Sequence, residues 1–190
     1  MSTPFIHLHT HTEFSVLDGA SRVADLVKKA VECDMPSLAI TDHGVMYGNL
    51  GFYSAAREAG IKPILGCEVY VASESRTRRD PRLDKEIYHL VLLAKSVAGY
   101  KNLIKLVSTA FSEGFYYKPR VDKELLAQYS DDLIALTACL AGEIPTHLGR
   151  GEIKLAEQSL GDYIDIFGKE NLYLEIMDHG IAEQQPSTKP

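Results

Sequence analysis

Short apolar runs alternate with segments of helical period along most of this chain, and no other feature limits its fold as strongly. "GASRVADLVKKAVECDM" places Val23, Leu26, Val27, Ala30 and Val31 on one helical face, with Ser21 as the cap. "PSLAIT" reads as a short strand, "GNLGFYSAAREAG" as a helix closed by Gly60, and "KPILGCEVYVA" as a β-branched strand. "YHLVLLAK" is a further strand and "SVAGYKNLIKLVSTAFSEG" the helix after it. "DLIALTACL" and "NLYLEIMDH" are strands on either side of the helix "IKLAEQSLGDYIDIFG". With an opening strand in "FIHLHTHTEF", six strands alternate with helices, which predicts an α/β fold with a parallel sheet and right-handed crossovers. The 190 residues, 45% of them hydrophobic, suffice for one core and so for one domain.

The residues with chemical potential recur at or near strand ends. His9 and His11 lie on the first predicted strand, Asp42 and His43 just after the second, Glu68 on the third, His89 on the fourth and Cys139 near the end of the fifth. A (β/α) barrel gathers such positions at one mouth, whereas an open doubly wound sheet gathers fewer, so the barrel is the predicted architecture. Residues 72–87 mix both charge signs without period and read as a solvated loop, a phosphate-facing role for its arginines being the alternative. The polar, proline-bearing end of the chain reads as a disordered tail over residues 186–190.

Several function classes are excluded at this level. No run approaches the ~18 apolar residues of a membrane span, and no basic region leads into an apolar stretch at the amino terminus, so a cytoplasmic protein without membrane contact is expected. Cys33, Cys67 and Cys139 are too few and too scattered for a disulfide framework. A net charge of -6 argues against a broad nucleic-acid-coating surface, while leaving room for a local phosphate site.

His7, His9 and His11 stand at every second position. In a strand such residues share a face at steps of ~6.6 Å, close enough for imidazoles to converge on an ion between them. A bound cation holds imidazole neutral and removes the mutual repulsion. The alternative is a polar strand with coincidental histidines, but a chance triple at this spacing has an expectation of only ~0.01 in a chain with this histidine content. Glu68 sits among Ile64, Leu65, Val69 and Val71, so its carboxylate either faces solvent or is paired. Asp42 and His43 are a ligand pair or a turn capping the next helix. His89 is a ligand or a core histidine, and Cys139 a ligand or a small buried hydrophobe. Asp18 is a ligand or a turn partner of Gly19. His147 and His179 read as surface or supporting residues. Lys118 and Arg120 in "FYYKPR" are phosphate contacts or an ordinary surface turn.

"HLHTHTEFSVLDG", "AITDHG", "FYSAAREAGIKPILGCEVYVA", "YHLVLLAK", "GYKNLIKLVSTAF", "EGFYYKPRVD" and "LIALTACLAGEIP" resemble, in that order, the amino-terminal polymerase and histidinol phosphatase (PHP) domain family of bacterial DNA polymerase III alpha subunits. The resemblance implies a distorted, TIM-like (β/α)7 barrel over residues 1–185, cut short before its last strand. It also implies up to three divalent ions (zinc, manganese or iron) held by His9, His11, Asp18, His43, Glu68, His89 and Cys139. His7 stands where many members carry Asp, and it and Asp42 are either ligands or supports. The family's last ligand motif, an Asp and a His on the seventh strand, has no counterpart before Pro190. A DNA-directed DNA polymerase parent is implied, with DNA, the parent's other domains, and replisome subunits such as a proofreading exonuclease or sliding clamp as partners. The chemistry that this segment's own residues support is metal-dependent phosphoester hydrolysis, as a 3′ to 5′ exonuclease or a pyrophosphatase. The alternatives are a catalytically silent, metal-stapled module that braces the polymerase or docks a proofreading subunit, and a free-standing small-molecule phosphatase.

Overall fold

Strand β2 (Lys62–Ala72) is 11 residues long and changes partners along one edge. Its first half pairs in parallel with β1 (Ser37–Ile40), and where β1 stops, β5 (Lys118–Val121) takes over, also in parallel, at Tyr70 and Val71. Its other edge pairs antiparallel with β3 (Ile87–Ala94) from Gly66 opposite Leu93 to Ala72 opposite Ile87. Beyond β3 the sheet continues antiparallel to β6 (Leu133–Leu136) and then parallel to β7 (Leu172–Tyr173); β4 (Phe115–Tyr116) forms a tight hairpin with β5. The computed structural model describes residues 5–82, 86–178, 180 and 184, and among them no ladder joins β7 back to β1 or β4.

The expectation of a parallel sheet therefore holds for β1, β2, β5, β6 and β7 and fails for β3. A parallel neighbour requires a crossover with room for a helix, and the described part of the connection from β2 to β3 has none, so the chain returns along the adjacent edge in the opposite sense. The opening strand is a second correction. Residues 5–14 form no regular strand, and touch the β1 region through the Ala39 N–H to the His7 carbonyl and the Thr41 N–H to the Thr10 carbonyl. Three residues of advance on one side face two on the other, so the segment bulges and the strict alternation of His7, His9 and His11 is lost.

Helices cover the outer face. α1 (Val23–Glu32) and α2 (Asn49–Glu58) bury Val27, Ala30, Phe52 and Ala56 against Leu38 and Ile40 of β1. Ser21 does not cap α1: Arg22 occupies the cap position and makes no side-chain bond there. α3 (Val97–Ser112) starts at Ser96, whose hydroxyl accepts the Gly99 N–H at 3.2 Å. α6 (Ile153–Phe167) packs Ala156 and Tyr163 into the same layer as Leu103 and Leu106 of α3 and Val69, Val71, Leu90 and Leu92 of the sheet. The β4/β5 hairpin, α4 (Lys123–Gln128), whose cap Asp122 accepts the Leu125 N–H at 2.9 Å, and a short 3-10 turn at Lys169–Asn171 have no counterpart in the sequence pattern. His147 is not a surface residue: it is buried in α5 (Glu143–Gly149), with its ring nitrogen 2.8 Å from Glu152.

On the inner face, Ala39, Val91, Leu93, Leu136 and Ala138 form an apolar floor. Among the described residues, no helix is long and apolar enough to cross a membrane. His179 and the tail at 186–190 lie outside the described residues.

Candidate metal centre

The reversal of β3 decides where the polar residues meet. His43 follows β1, Cys139 follows β6, and Glu68 lies on β2 level with His43. Because β3 runs the other way, His89 near its start reaches the same end of the sheet. The backbones of His43 and Glu68 are tied by the Glu68 N–H to the Asp42 carbonyl (3.1 Å) and the Gly44 N–H to the Glu68 carbonyl (2.8 Å). The two-residue period of β2 turns Glu68 and Tyr70 inward while Cys67, Val69 and Val71 enter the outer core, and His89 stands directly opposite Tyr70.

Glu68 is the hub, with a side chain 1% exposed. Its Oε2 lies 3.3 Å from His9 Nε2, 3.1 Å from His11 Nε2 and 2.9 Å from His43 Nδ1, and its Oε1 lies 2.9 Å from His89 Nδ1. Asp18 Oδ2 is 2.5 Å from His43 Nε2, and the His11 and His43 rings stack at 4.1 Å. Three trios bring one ligand atom each within metal-binding reach: His9, His11 and Glu68; His11, Asp18 and His43; His43, Glu68 and His89. His9 Nε2, His43 Nδ1 and Glu68 Oε2 are buried yet lack hydrogen-bond geometry, despite their short separations. Buried lone pairs that face one another without proton sharing are costly unless a cation lies between them, so this donor set fits a divalent ion.

The electrostatics agree. Burial opposes charge on Glu68, but the imidazoles of His11, His43, His89 and His9 outweigh it and hold the carboxyl far below its ordinary range. Burial likewise disfavours a charged His9, yet the carboxylates of Glu175 and Glu68 lift its pKa to about 9. His43 is raised in the same manner, against burial, by Glu68 and Asp18. Without metal, protons take the place that a cation would fill.

The other residues singled out in the sequence divide clearly. Asp42 is buried and spends its carboxylate on the 12–15 loop, accepting the Thr12 N–H (2.6 Å), the Thr12 hydroxyl (2.7 Å) and the Ser15 hydroxyl (2.7 Å). Ser15 in turn accepts the His43 N–H at 3.1 Å, so Asp42 fixes the loop that carries His11 and Asp18 to the segment that carries His43. Asp18 also lies in a turn with Gly19, their N–H groups both donating to the Ser15 carbonyl at 2.9 and 2.7 Å, and a Cβ on Gly19 would come 2.0 Å from the Thr12 carbonyl oxygen. His7 is exposed, edge-on to Phe5 at 4.8 Å, and takes no part in the three trios. Cys139 Sγ borders the centre at 3.9 Å from Glu68 Oε1 and 3.8 Å from His89 Nδ1, and burial raises its thiol pKa.

Lys118 stands at the rim, with Nζ 3.4 Å from the Tyr70 hydroxyl and 5.0 Å above the Tyr70 ring, which itself stacks on His43. Arg120 is a correction. It is 1% exposed, and its guanidinium donates to the carbonyls of Gly114, Arg76 and Arg78, so it supports the 73–82 loop and offers no face to a phosphate. That loop is mostly exposed, as expected from its sequence, and is pinned by Arg76, which bonds to Asp122 and Glu113.

One residue escaped the sequence reading. Glu175 follows β7 and places Oε1 2.9 Å from His9 Nδ1. The signal that drew attention to Glu68, a carboxylate inside an apolar run, is equally present in "NLYLEIMDH".

A family model described as the PHP domain matches residues 7–179. DNA polymerase III subunit alpha of Treponema pallidum is 47% identical over 182 residues, covering 95% of this chain and 16% of that protein. Its counterpart in Aquifex aeolicus is 47% identical over 196 residues, covering 100% of this chain and 17% of that protein. The chain thus spans about one sixth of the length of the curated relatives it matches. A solved structure of a candidate metal-dependent phosphoesterase from Bifidobacterium adolescentis aligns over 57% of this chain and 34% of that one at 20% identity and a TM-score of 0.43.

Proposed function

Because the chain belongs to the PHP domain family, we propose that its histidine and carboxylate cluster is a metal-dependent phosphoesterase site within a bacterial replicative DNA polymerase. The observation that supports this is the convergence of His9, His11, His43 and His89 on one buried carboxylate whose Oε2, facing three of the rings, lacks a hydrogen-bond partner. Two or three zinc, manganese or iron ions held there would supply Lewis acidity toward a phosphoryl oxygen and a source of hydroxide at neutral pH.

The chain's own side chains do the rest. Glu68 belongs to two of the trios at once, which holds those positions close together. Asp18, 59% exposed, is the carboxylate nearest the solvent and so the side of the centre that a substrate approaches. Cys139 borders the centre beside His89, the Tyr70 ring stacks on His43, and Lys118, held against Tyr70 at the rim, is placed to contact a phosphate oxygen. A phosphodiester at a primer 3′ end fits the polymerase context, giving 3′ to 5′ exonuclease trimming with DNA as the partner; pyrophosphate is the smaller alternative substrate. The polymerase's other domains and replisome subunits such as a proofreading exonuclease or sliding clamp are the proposed protein partners. The free thiols Cys33, Cys67 and Cys139 suit a cytoplasmic setting.

A second reading is that the metals only staple the fold, since Glu68 ties together segments that are far apart in sequence. The two are separated in the full-length protein that carries this chain. Chelation or His9→Ala should abolish nuclease activity and leave polymerisation intact. Unchanged nuclease activity in that variant would refute the hydrolytic reading, and a lowered melting temperature with no catalytic loss would favour the staple.

A further inference from the structure

The carboxylate of Glu175 belongs to none of the three trios, yet it is partly buried (side chain 15% exposed) and directed at a ligand. Its Oε1 lies 2.9 Å from His9 Nδ1, the nitrogen on the opposite side of the ring from the Nε2 that faces Glu68. Its backbone is equally constrained. β7 extends β6 in parallel register, the Thr137 N–H donates to the Tyr173 carbonyl at 3.1 Å, and the Glu175 N–H donates to the Thr137 hydroxyl at 2.9 Å. Thr137 is itself buried and stands two residues before Cys139. The segment beyond β7 is therefore seated so that Glu175 meets His9 from behind.

We propose that Glu175 is a positioning residue of the metal centre, accepting the Nδ1 proton of His9 so that the Nε2 lone pair is aimed at the cation beside Glu68. This rests on the proposed metal centre and adds to it a residue that touches neither ion nor substrate. The physical basis is general. A neutral imidazole carries one ring proton, and whichever nitrogen donates it to a carboxylate leaves the other free as a ligand, with the ring orientation fixed. Glu175 Oε2 is buried without a hydrogen-bond partner, and His9 is the ion-pair partner of Glu175 among the described residues, so the carboxylate serves the centre and no other cation there. The role also explains why a two-residue strand at the edge of the sheet matters: β7 carries Glu175 to His9. The centre then depends on residues 172–175 as well as on the amino-terminal segment.

The test compares the full chain with its Glu175→Leu and Glu175→Gln variants, each stripped of metal and titrated with zinc, while the His9 ring protons are followed by NMR in the zinc-loaded form. Leucine removes the acceptor, and glutamine keeps an acceptor oxygen at the same position. We expect zinc affinity to fall ~10–100-fold in Glu175→Leu and largely to recover in Glu175→Gln, with the slowly exchanging His9 Nδ1 proton lost in the first and retained in the second. Equal affinity and an unchanged His9 signal in Glu175→Leu would overturn the inference while leaving the metal centre intact. Failure of the unaltered chain to bind zinc would overturn the underlying reading as well. A Glu175→Leu variant too unstable to titrate leaves the decision to Glu175→Gln, whose His9 proton must still show a hydrogen bond.

Discussion

At the scale of single residues, Glu68 and Asp42 are both buried carboxylates, and they do opposite work. Glu68 is surrounded by ring nitrogens and is suited to share a cation with them, whereas Asp42 is saturated by two hydroxyls and an amide and holds the loop in place. Glu68→Gln should therefore abolish tight metal binding, read by calorimetric titration. Asp42→Ala leaves one buried N–H and two hydroxyls unsatisfied, a loss of about 3 kcal/mol at the usual cost of orphaned groups. That corresponds to a melting temperature ~6–12 °C lower in a chain of this size, and a shift under ~2 °C would contradict the anchoring role. Glu68 was legible in the sequence because an acid inside an apolar run demands a partner. The role of Asp42 was not, because nothing in "AITDHG" shows that Thr12 and Ser15 will fold onto it.

At the scale of elements, period and turn chemistry carried most of the information. The span of β2 agrees with its reading to the residue, and α2 ends where Gly60, at φ +79°, leaves the helix. The misreadings have identifiable causes. The direction of β3 depends on which edge the returning chain finds, which the strand's own residues do not encode. The opening segment reads as a strand because histidines at alternate positions imitate the strand period, while its bulge against β1 is a tertiary outcome. The β4/β5 hairpin escaped because its turn residue Tyr117, at φ +59°, is not a residue that advertises a left-handed turn. A prediction at this scale separates fold from site: Ser96→Ala removes the α3 cap and should cost about 1 kcal/mol, or ~2–4 °C in thermal melting, with zinc affinity unchanged. A loss of zinc affinity in that variant would show that α3 and the centre are coupled.

At the scale of the whole molecule, the centre links stability to both pH and metal. In the metal-free chain His9 has a folded pKa of about 9, above its ordinary 6.5, so its pairs with Glu68 and Glu175 stabilise fully below pH ~6.5 and progressively less as the pH rises through 9. The contribution is up to about 3 kcal/mol. With zinc bound the sign reverses, because protons compete with the ion for the same nitrogens and stability rises from acid toward neutral pH. Melting curves at pH 6, 7.5 and 9, with and without zinc, should therefore diverge. Parallel profiles would mean that the imidazoles hold no metal.

The central claim is that residues scattered from His9 to Cys139 gather around shared cations. Anomalous diffraction from crystals grown with manganese or zinc tests this most directly. The account predicts peaks among His9, His11, His43, His89 and Glu68, with at least one of them bridged by the Glu68 carboxylate. A fully occupied metal elsewhere on the surface with no peak in that cluster, or four imidazoles turned away from Glu68, would contradict it.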